Sequence, residues 1–323
     1  MRRPYFYNSR AGFTILEVMV ASAVFVLLLG LLMSTISQTS TVTRRATEKV
    51  SAFQGARSAF ELLTSKLSQA TMNSYWDYDS PTTPTKYIRK SELHFVVGPA
   101  GEDPLPGTSG TGQAVFFQAP GGASENPTYS GMENLLNAYG YYIQYEQEDE
   151  LPFRTSSTLK YRYRLMQAIV DTEDLQVYSS NEITGKDWIK DYNSAVLAEN
   201  IVYMAIWPRK TASEDSTGAT LTSNFSYNSR NGASNNPQPE TANQLPPTMQ
   251  VTMVAIDETS AARFCTTSTP PTQISGALAG LFQVSNTTDF DLDLDKLTTS
   301  LAQNNIPFRV FTSIVPMRES KMQ

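Results

Sequence analysis

Cysteine and histidine are almost missing from this chain: its 323 residues contain one of each, Cys265 and His94. A lone cysteine closes no intrachain disulfide, so no cysteine framework organises the fold. A mononuclear zinc site of the His/Cys kind needs about four such ligands, more than one copy can supply. A Ser-His-Asp triad would have to be built on His94, which sits in a strand-like run with no serine or aspartate placed beside it in sequence. The GxGxxG, P-loop, nucleophile-elbow and HExxH patterns are all absent. Basic charge is also in deficit, with 25 Lys and Arg against 31 Asp and Glu and a formal charge of −6. That balance is the reverse of the basic patch a nucleic-acid binder carries, so no nucleic-acid partner is expected. Internal repeats are missing as well. An enzyme is therefore not the expected reading. Cys265, in "AARFCTTST", would act as a nucleophile only with its pKa lowered by cations; Arg263 is near, and an ordinary buried thiol is the better expectation.

What the chain does have is one long apolar run. Of the 21 residues from Phe13 to Met33, 17 are Ala, Val, Ile, Leu, Met or Phe. At 1.5 Å per residue, a helix of that length spans about 31 Å, the thickness of a bilayer's hydrocarbon core. Arg2, Arg3 and Arg10 precede it, with no acidic residue among them. The positive-inside rule then keeps the N-terminus in the cytoplasm and exports everything after about Ser34. A secretory signal peptide fits less well, because its apolar core is shorter and ends at a small-x-small cleavage site. Within this run stands Glu17, a carboxylate that costs free energy in hydrocarbon and so marks a functional position. A bare anchor helix could let it snorkel to the interface. A cut between Gly12 and Phe13 would instead create an α-amino group about 6 Å along the helix axis from it. Two such charges 4 Å apart at an effective dielectric of 20 attract by about 4 kcal/mol before desolvation.

Gly12-Phe13-Thr14-x-x-Glu17, a basic leader before it and a full-length apolar run behind it, resembles the class III signal of type IV prepilins and pseudopilins. The resemblance implies a leader (1–12) removed by a membrane-embedded prepilin peptidase, with Gly12 before the cut and Phe13 as the mature, N-methylated N-terminus. Glu17 would be the carboxylate that helps a subunit enter a filament, where it pairs with an amino terminus. It also implies other pilin or pseudopilin subunits and an inner-membrane assembly platform as partners. Cleavage at Gly12 would leave 311 residues with 22 basic and 31 acidic side chains, an acidic balance suited to an exported soluble head.

The helical pattern continues past the membrane run. No proline falls between Ser40 and Pro81, and Ala46, Val50, Phe53, Ala56, Phe60, Leu63, Leu67 and Ala70 recur every three or four residues. The expectation is one helix from Thr14 to about Met72, roughly 90 Å long, with 13–33 as its transmembrane half and 34–73 as an amphipathic half packed on a head. "STISQTSTVT" (34–43), rich in hydroxyl and β-branched residues, is the expected place for a bend. From 74 to 323 the texture turns to strands and loops. Seven strand-like runs are expected: "ELHFVV", "AVFFQ", "GYYIQYEQ", "LKYRYRLMQAI", "NIVYMAIWP", "TMQVTMVAID" and "FRVFTSIVPM". The third and fourth flank "EDELPFRTSST" and read as a hairpin, with the acidic Glu146–Glu150 stretch at its tip. The predicted fold is α+β, a long N-terminal helix packed on a largely antiparallel sheet. The polar segment 208–247 is expected to be a disordered insertion.

Two later features carry weaker signals. "ARSAFELLTSKLSQATMN", "AENIVYMAIWP", "PTMQVTMVAID" and "FRVFTSIVPMRES" are similar to the larger minor pilins and J-type pseudopilins. "SKLSQATMNSYWDYDSPTTPTKYIRKSELHF" is similar to the large prepilin-like proteins of verrucomicrobial gene cassettes. The chain lacks the C-terminal cysteine pair of many major pilins and is long for a major subunit, so a minor or initiating subunit is expected. In "NTTDFDLDLDKL", Asp289, Asp291, Asp293 and Asp295 stand two apart and on a strand would share one face. Calcium is the natural cation for such a cluster, although the EF-hand glycine and terminal glutamate are missing; a solvated acidic edge is the plainer expectation. The resulting expectation is a pilin-like minor subunit of an inner-membrane filament system, of the type IV pilus or the type II secretion kind. The alternative is a single-pass anchored, exported binding protein that keeps its leader. Loss of twelve residues separates the two.

Overall fold

The computed structural model describes residues 14–129, 131–132, 134–148, 160–175, 189, 192–210, 221, 225–283 and 288–322, with 44–52 described by backbone alone. The chain divides into two units, 1–50 and 51–323. One helix, α1 (Ile15–Leu67), begins in the first unit and ends in the second.

In the first unit, side chains from Thr14 to Thr43 are exposed all round, including Leu16, Phe25 and Leu27. A helix apolar on every face is not stable in water alone, and its surface calls for lipid or neighbouring helices. Ile15–Thr43 is the one helix among the described residues that is long and apolar enough to cross a membrane. The helix runs unbroken through 34–43, where a bend was expected. Hydroxyls in this unit bond back to the helix's own carbonyls: Ser22 donates to Met19 C=O (2.9 Å), Thr35 to Leu32 C=O (2.8 Å) and Thr41 to Ser37 C=O (2.9 Å). These three hydroxyls are thereby satisfied locally, which for Ser22, inside the apolar run, is what hydrocarbon requires.

In the second unit, the end of α1 buries Ala56, Phe60, Leu63 and Leu67 of the predicted stripe, with Ala59 added and Phe53 half-buried against the same core. They pack on an antiparallel sheet ordered β11-β10-β8, made of β8 (Ile201–Arg209), β10 (Thr248–Ile256) and β11 (Phe308–Pro316). Phe60 meets Phe311 with ring centroids 5.8 Å apart. A second antiparallel sheet contains six strands: β3 (Val96–Pro99), β4 (Gln113–Pro120), β5 (Leu136–Gln147), β6 (Tyr161–Val170), β7 (Asn193–Glu199) and β9 (Tyr227–Asn228). Its order is β7-β6-β5-β4-β3-β9. A separate ribbon joins β1 (Tyr75–Tyr78) to β2 (Tyr87–Lys90). The α+β class holds: a long apolar N-terminal helix followed by antiparallel sheet.

Strands β4 and β5 of the six-stranded sheet are buried on both faces, which explains why "AVFF" and "YGYYI" read as continuous rather than alternating runs. Val115, Phe117, Tyr139, Tyr141 and Ile143 enter the main core with α1. Ala114, Phe116, Ala138 and Tyr142 enter a second core on the opposite face. Gly140 is required by this packing: it stands opposite Phe116, whose ring would lie 2.2 Å from a Cβ. The predicted hairpin is β5 paired with β6, Tyr145 opposite Tyr163; Asp149 and Glu150 of its acidic stretch lie outside the described residues, while Glu146 pairs with Arg164 at 3.0 Å.

Three expectations change in the second unit. "ELHFVV" yields a strand only from Val96, since residues 92–95 connect rather than pair. The second half of 208–247 is packed instead of disordered: Phe225, Tyr227, Ala242 and Leu245 are buried, and β9 adds to β3. The physical reason is backbone satisfaction by side chains, one from outside the segment and one from within it. Arg89 donates to the carbonyls of Ala242 (3.1 Å), Pro239 (2.6 Å) and Glu240 (3.2 Å), and the Tyr227 hydroxyl donates to Gln244 C=O at 2.8 Å. Residues 211–220 and 222–224 lie outside the described residues. Third, "FDLDLDKL", whose aspartates would share one face on a strand, forms a helix, α4 (Phe290–Gln303).

Candidate functional site

The expected cut, Gly12-Phe13, lies outside the described residues. The structure begins at the next residue, Thr14, which stands just ahead of the first helical residue. Thr14 and Glu17 bond reciprocally. The Glu17 backbone N–H donates to Thr14 Oγ1 at 3.3 Å, and the Thr14 backbone N–H donates to Glu17 Oε2 at 3.4 Å. The Thr14 hydroxyl lies 3.5 Å from the same carboxylate oxygen. This is a capping box: a threonine at the N-cap and a glutamate three residues on satisfy two of the N–H groups that a helix start leaves without partners. The distances sit at the long end for hydrogen bonds. The carboxylate also gains from the positive end of the helix dipole.

Glu17 is thus accommodated within its own chain, a role that reasoning on charge alone missed. The signal was present as Thr-x-x-Glu directly before an apolar run. The box does not exclude an amine partner. The carboxylate is exposed, and one of its oxygens, Oε1, makes no hydrogen bond within the described residues.

The four aspartates do not converge. Asp289 precedes α4, and Asp291 and Asp293 fall in its first turn. Residues two apart on a helix point roughly 200° from each other, so Asp291 and Asp295 take one side and Asp289 and Asp293 the other. Asp291 and Asp295 are exposed, whereas Asp293 is buried, accepting the Phe282 N–H at 2.8 Å and Lys296 at 3.2 Å. The D-x-D alternation hid a second pattern: Phe290, Leu294, Leu297 and Leu301, spaced 4, 3 and 4, turn inward and make the segment helical. No group of three or more metal-binding side chains is brought together among the described residues.

His94 and Cys265 are both interior. The His94 ring lies 2.8 Å from Asn228 Oδ1, and burial, more than the nearby Arg230 charge, lowers its pKa to about 4 against the opposing pull of Asn228. Cys265 closes the short helix α2 (Glu258–Phe264), and burial pushes its thiol up to about 11, with Arg162 opposing. A thiol so raised is not the thiolate that nucleophilic chemistry uses.

A comparison with curated proteins found no match. Residues 7–33, the span that includes Gly12, Phe13, Thr14 and Glu17, match the family described as the prokaryotic N-terminal methylation motif. That match, with the apolar helix that carries the motif, supports a type IV pilin-like protein: a subunit of the kind processed at a prepilin site and anchored in a membrane by its N-terminal helix.

Proposed function

We propose that the chain is a minor pilin or pseudopilin of a type IV pilus-like or type II secretion-like filament. Prepilin peptidase removes residues 1–12, and Phe13 becomes the N-methylated terminus. The single-pass helix holds the protein in the inner membrane with its N-terminus cytoplasmic and its head extracytoplasmic. In assembly, the Glu17 carboxylate takes the α-amino group of a Phe13 as its cation, and the apolar surface of 15–43 passes from lipid to the helices of neighbouring subunits. The subunit catalyses no reaction of its own. The observation that carries this reading is the methylation motif at 7–33 lying across the start of an exposed, membrane-length helix.

Length and the lack of a C-terminal cysteine pair favour a minor over a major subunit. The deciding measurement is the mature N-terminus, read by mass spectrometry of protein purified from the native membrane. A chain that begins at an N-methylated Phe13 is expected. A chain that still begins at Met1, in cells with active prepilin peptidase, would overturn the proposal in favour of an uncleaved, anchored binding protein.

A further inference from the structure

The head holds a cleft of about 330 Å³ between the loop that leads into β4 and the residues that follow helix α3 (Thr272–Leu278). That volume lies within the range of small-ligand sites. Its floor is fixed to the sheets. Gly112, at φ +106°, approaches β8 so closely that a Cβ would lie 1.9 Å from the Met204 carbonyl oxygen. Thr111 C=O accepts the Met204 N–H at 3.0 Å, and the Thr108 N–H donates to Ile143 C=O at 2.9 Å. The opposite wall is held against backbone preference. Phe282 sits at φ +49°, a left-handed conformation that bulky residues avoid. The buried Asp293 carboxylate holds its N–H, and its ring stacks on Tyr203 with centroids 4.6 Å apart.

The lining chemistry is specific in what it rejects. None of the lining residues carries a charge, so an ionic ligand would lose its hydration with no counter-charge in return. A purely apolar ligand would leave hydroxyl groups in the wall without partners. Tyr163 and Tyr203 supply those groups from buried positions and Ser109 from the exposed mouth, whereas the Thr111 hydroxyl already donates to Thr108 C=O (2.7 Å) and the Ser275 hydroxyl to Pro271 C=O (3.1 Å). Gln113 Oε1 already accepts the Ile206 N–H at 3.1 Å, so its NH2 is the group that bonds the Tyr203 phenol. The phenol's own proton is then left to donate. Burial keeps both tyrosines protonated. Leu278, Leu281 and the rings of Tyr163, Tyr203 and Phe282 supply the apolar share.

The geometry points to a binding site for a neutral saccharide in the head, walled by 109–113, Tyr163, Tyr203 and 275–283. A sugar ring presents what this cleft can take: uncharged hydroxyls around its edge, which both donate and accept, and C–H groups for contact with the apolar side chains.

The test uses the full chain in a detergent without a sugar headgroup. Saturation-transfer NMR is run with glucose, galactose, N-acetylglucosamine, maltose and cellobiose, and with glucuronate and glucosamine as charged counterparts. At least one neutral sugar is expected to bind, with the charged counterparts about tenfold weaker or worse. Ser275→Trp and Ser109→Trp, at exposed positions on the mouth, are each expected to weaken binding by about tenfold or more. The absence of binding by every neutral sugar would overturn the assignment. So would equal binding by a charged counterpart, or wild-type binding in both tryptophan variants. The outcome is independent of where the mature chain begins.

Discussion

Replacing Glu17 by glutamine keeps the side chain's length and leaves an oxygen to accept the Thr14 N–H, but removes the charge. Replacing it by alanine removes both. The two variants therefore separate the capping role seen in the structure from the ion pair proposed for the filament. A helix cap of this kind contributes about 0.5–2 kcal/mol, and glutamine serves in the same box; with bonds of 3.3–3.4 Å, the low end applies here. The pairing with an α-amino group is larger. A Coulomb attraction of about 4 kcal/mol at 4 Å and an effective dielectric of 20, reduced by desolvation, leaves about 2 kcal/mol, in line with hydrogen bonds between charged groups. That is about a 30-fold change in an equilibrium. Both variants should therefore reach the membrane at wild-type levels and enter filaments about 30-fold less, alanine slightly worse than glutamine. The assay is quantitative immunodetection of the subunit in sheared or cross-linked filaments against the membrane pool, with the N-terminus of each variant checked by mass spectrometry. Normal incorporation of correctly processed Glu17→Gln would refute the ion pair and leave Glu17 as a cap alone.

Gly140→Ala places a Cβ where the Phe116 ring lies 2.2 Å away, a rigid clash between paired strands. It should cost about 1–3 kcal/mol in chemical denaturation of the detergent-solubilised chain, and Phe116→Ala in the same background should recover part of that loss; strictly additive effects would refute the contact. His94, buried neutral with its pKa lowered to about 4, gives an acid-side slope. The unfolded chain takes up this proton below about pH 6.5 and the folded chain only near 4. Stability is therefore intact above about 6.5 and falls between there and about 4, by about 3 kcal/mol in total. His94→Gln should flatten that part of the stability–pH curve, and an unchanged slope would refute the assignment.

Much of the head was legible where one physical signal ruled. Strands β4, β5, β6, β8, β10 and β11 are runs of β-branched and aromatic residues long enough to stand out. Four strands were not anticipated. β1, β2 and β9 have four residues or fewer, and β7 is largely exposed, so none shows a clear apolar period. Helix α4 was hidden because the same residues satisfied two periods, and only packing of Phe290, Leu297 and Leu301 selects the helical one. At the N-terminus the spacing Gly12-Phe13-x-x-x-Glu17 is readable, whereas the Thr14-x-x-Glu17 cap is hidden behind a charge that an amine alone would explain. The cleft could not have been read at all. Its wall is assembled from 109–113, 163, 203 and 275–283, positions brought together by sheet register, by the close approach of Gly112 to Met204 and by the stack of Phe282 on Tyr203.

The burial pattern along α1 divides the work of a single helix. From Ala56 to Leu67 it completes a core made with the strands of its own unit. From Ile15 to Thr43 it contributes nothing to any core, yet leaves no hydroxyl among Ser22, Thr35 and Thr41 unbonded. Apolar surface exposed on this scale is favourable only when removed from water. Internal satisfaction of the hydroxyls is of little use in water, where solvent would serve, and becomes necessary in a medium that offers no partners. The first half of the helix is therefore suited to exchange one apolar surrounding for another, lipid for helices. The head's own packing places no requirement on which of them it occupies.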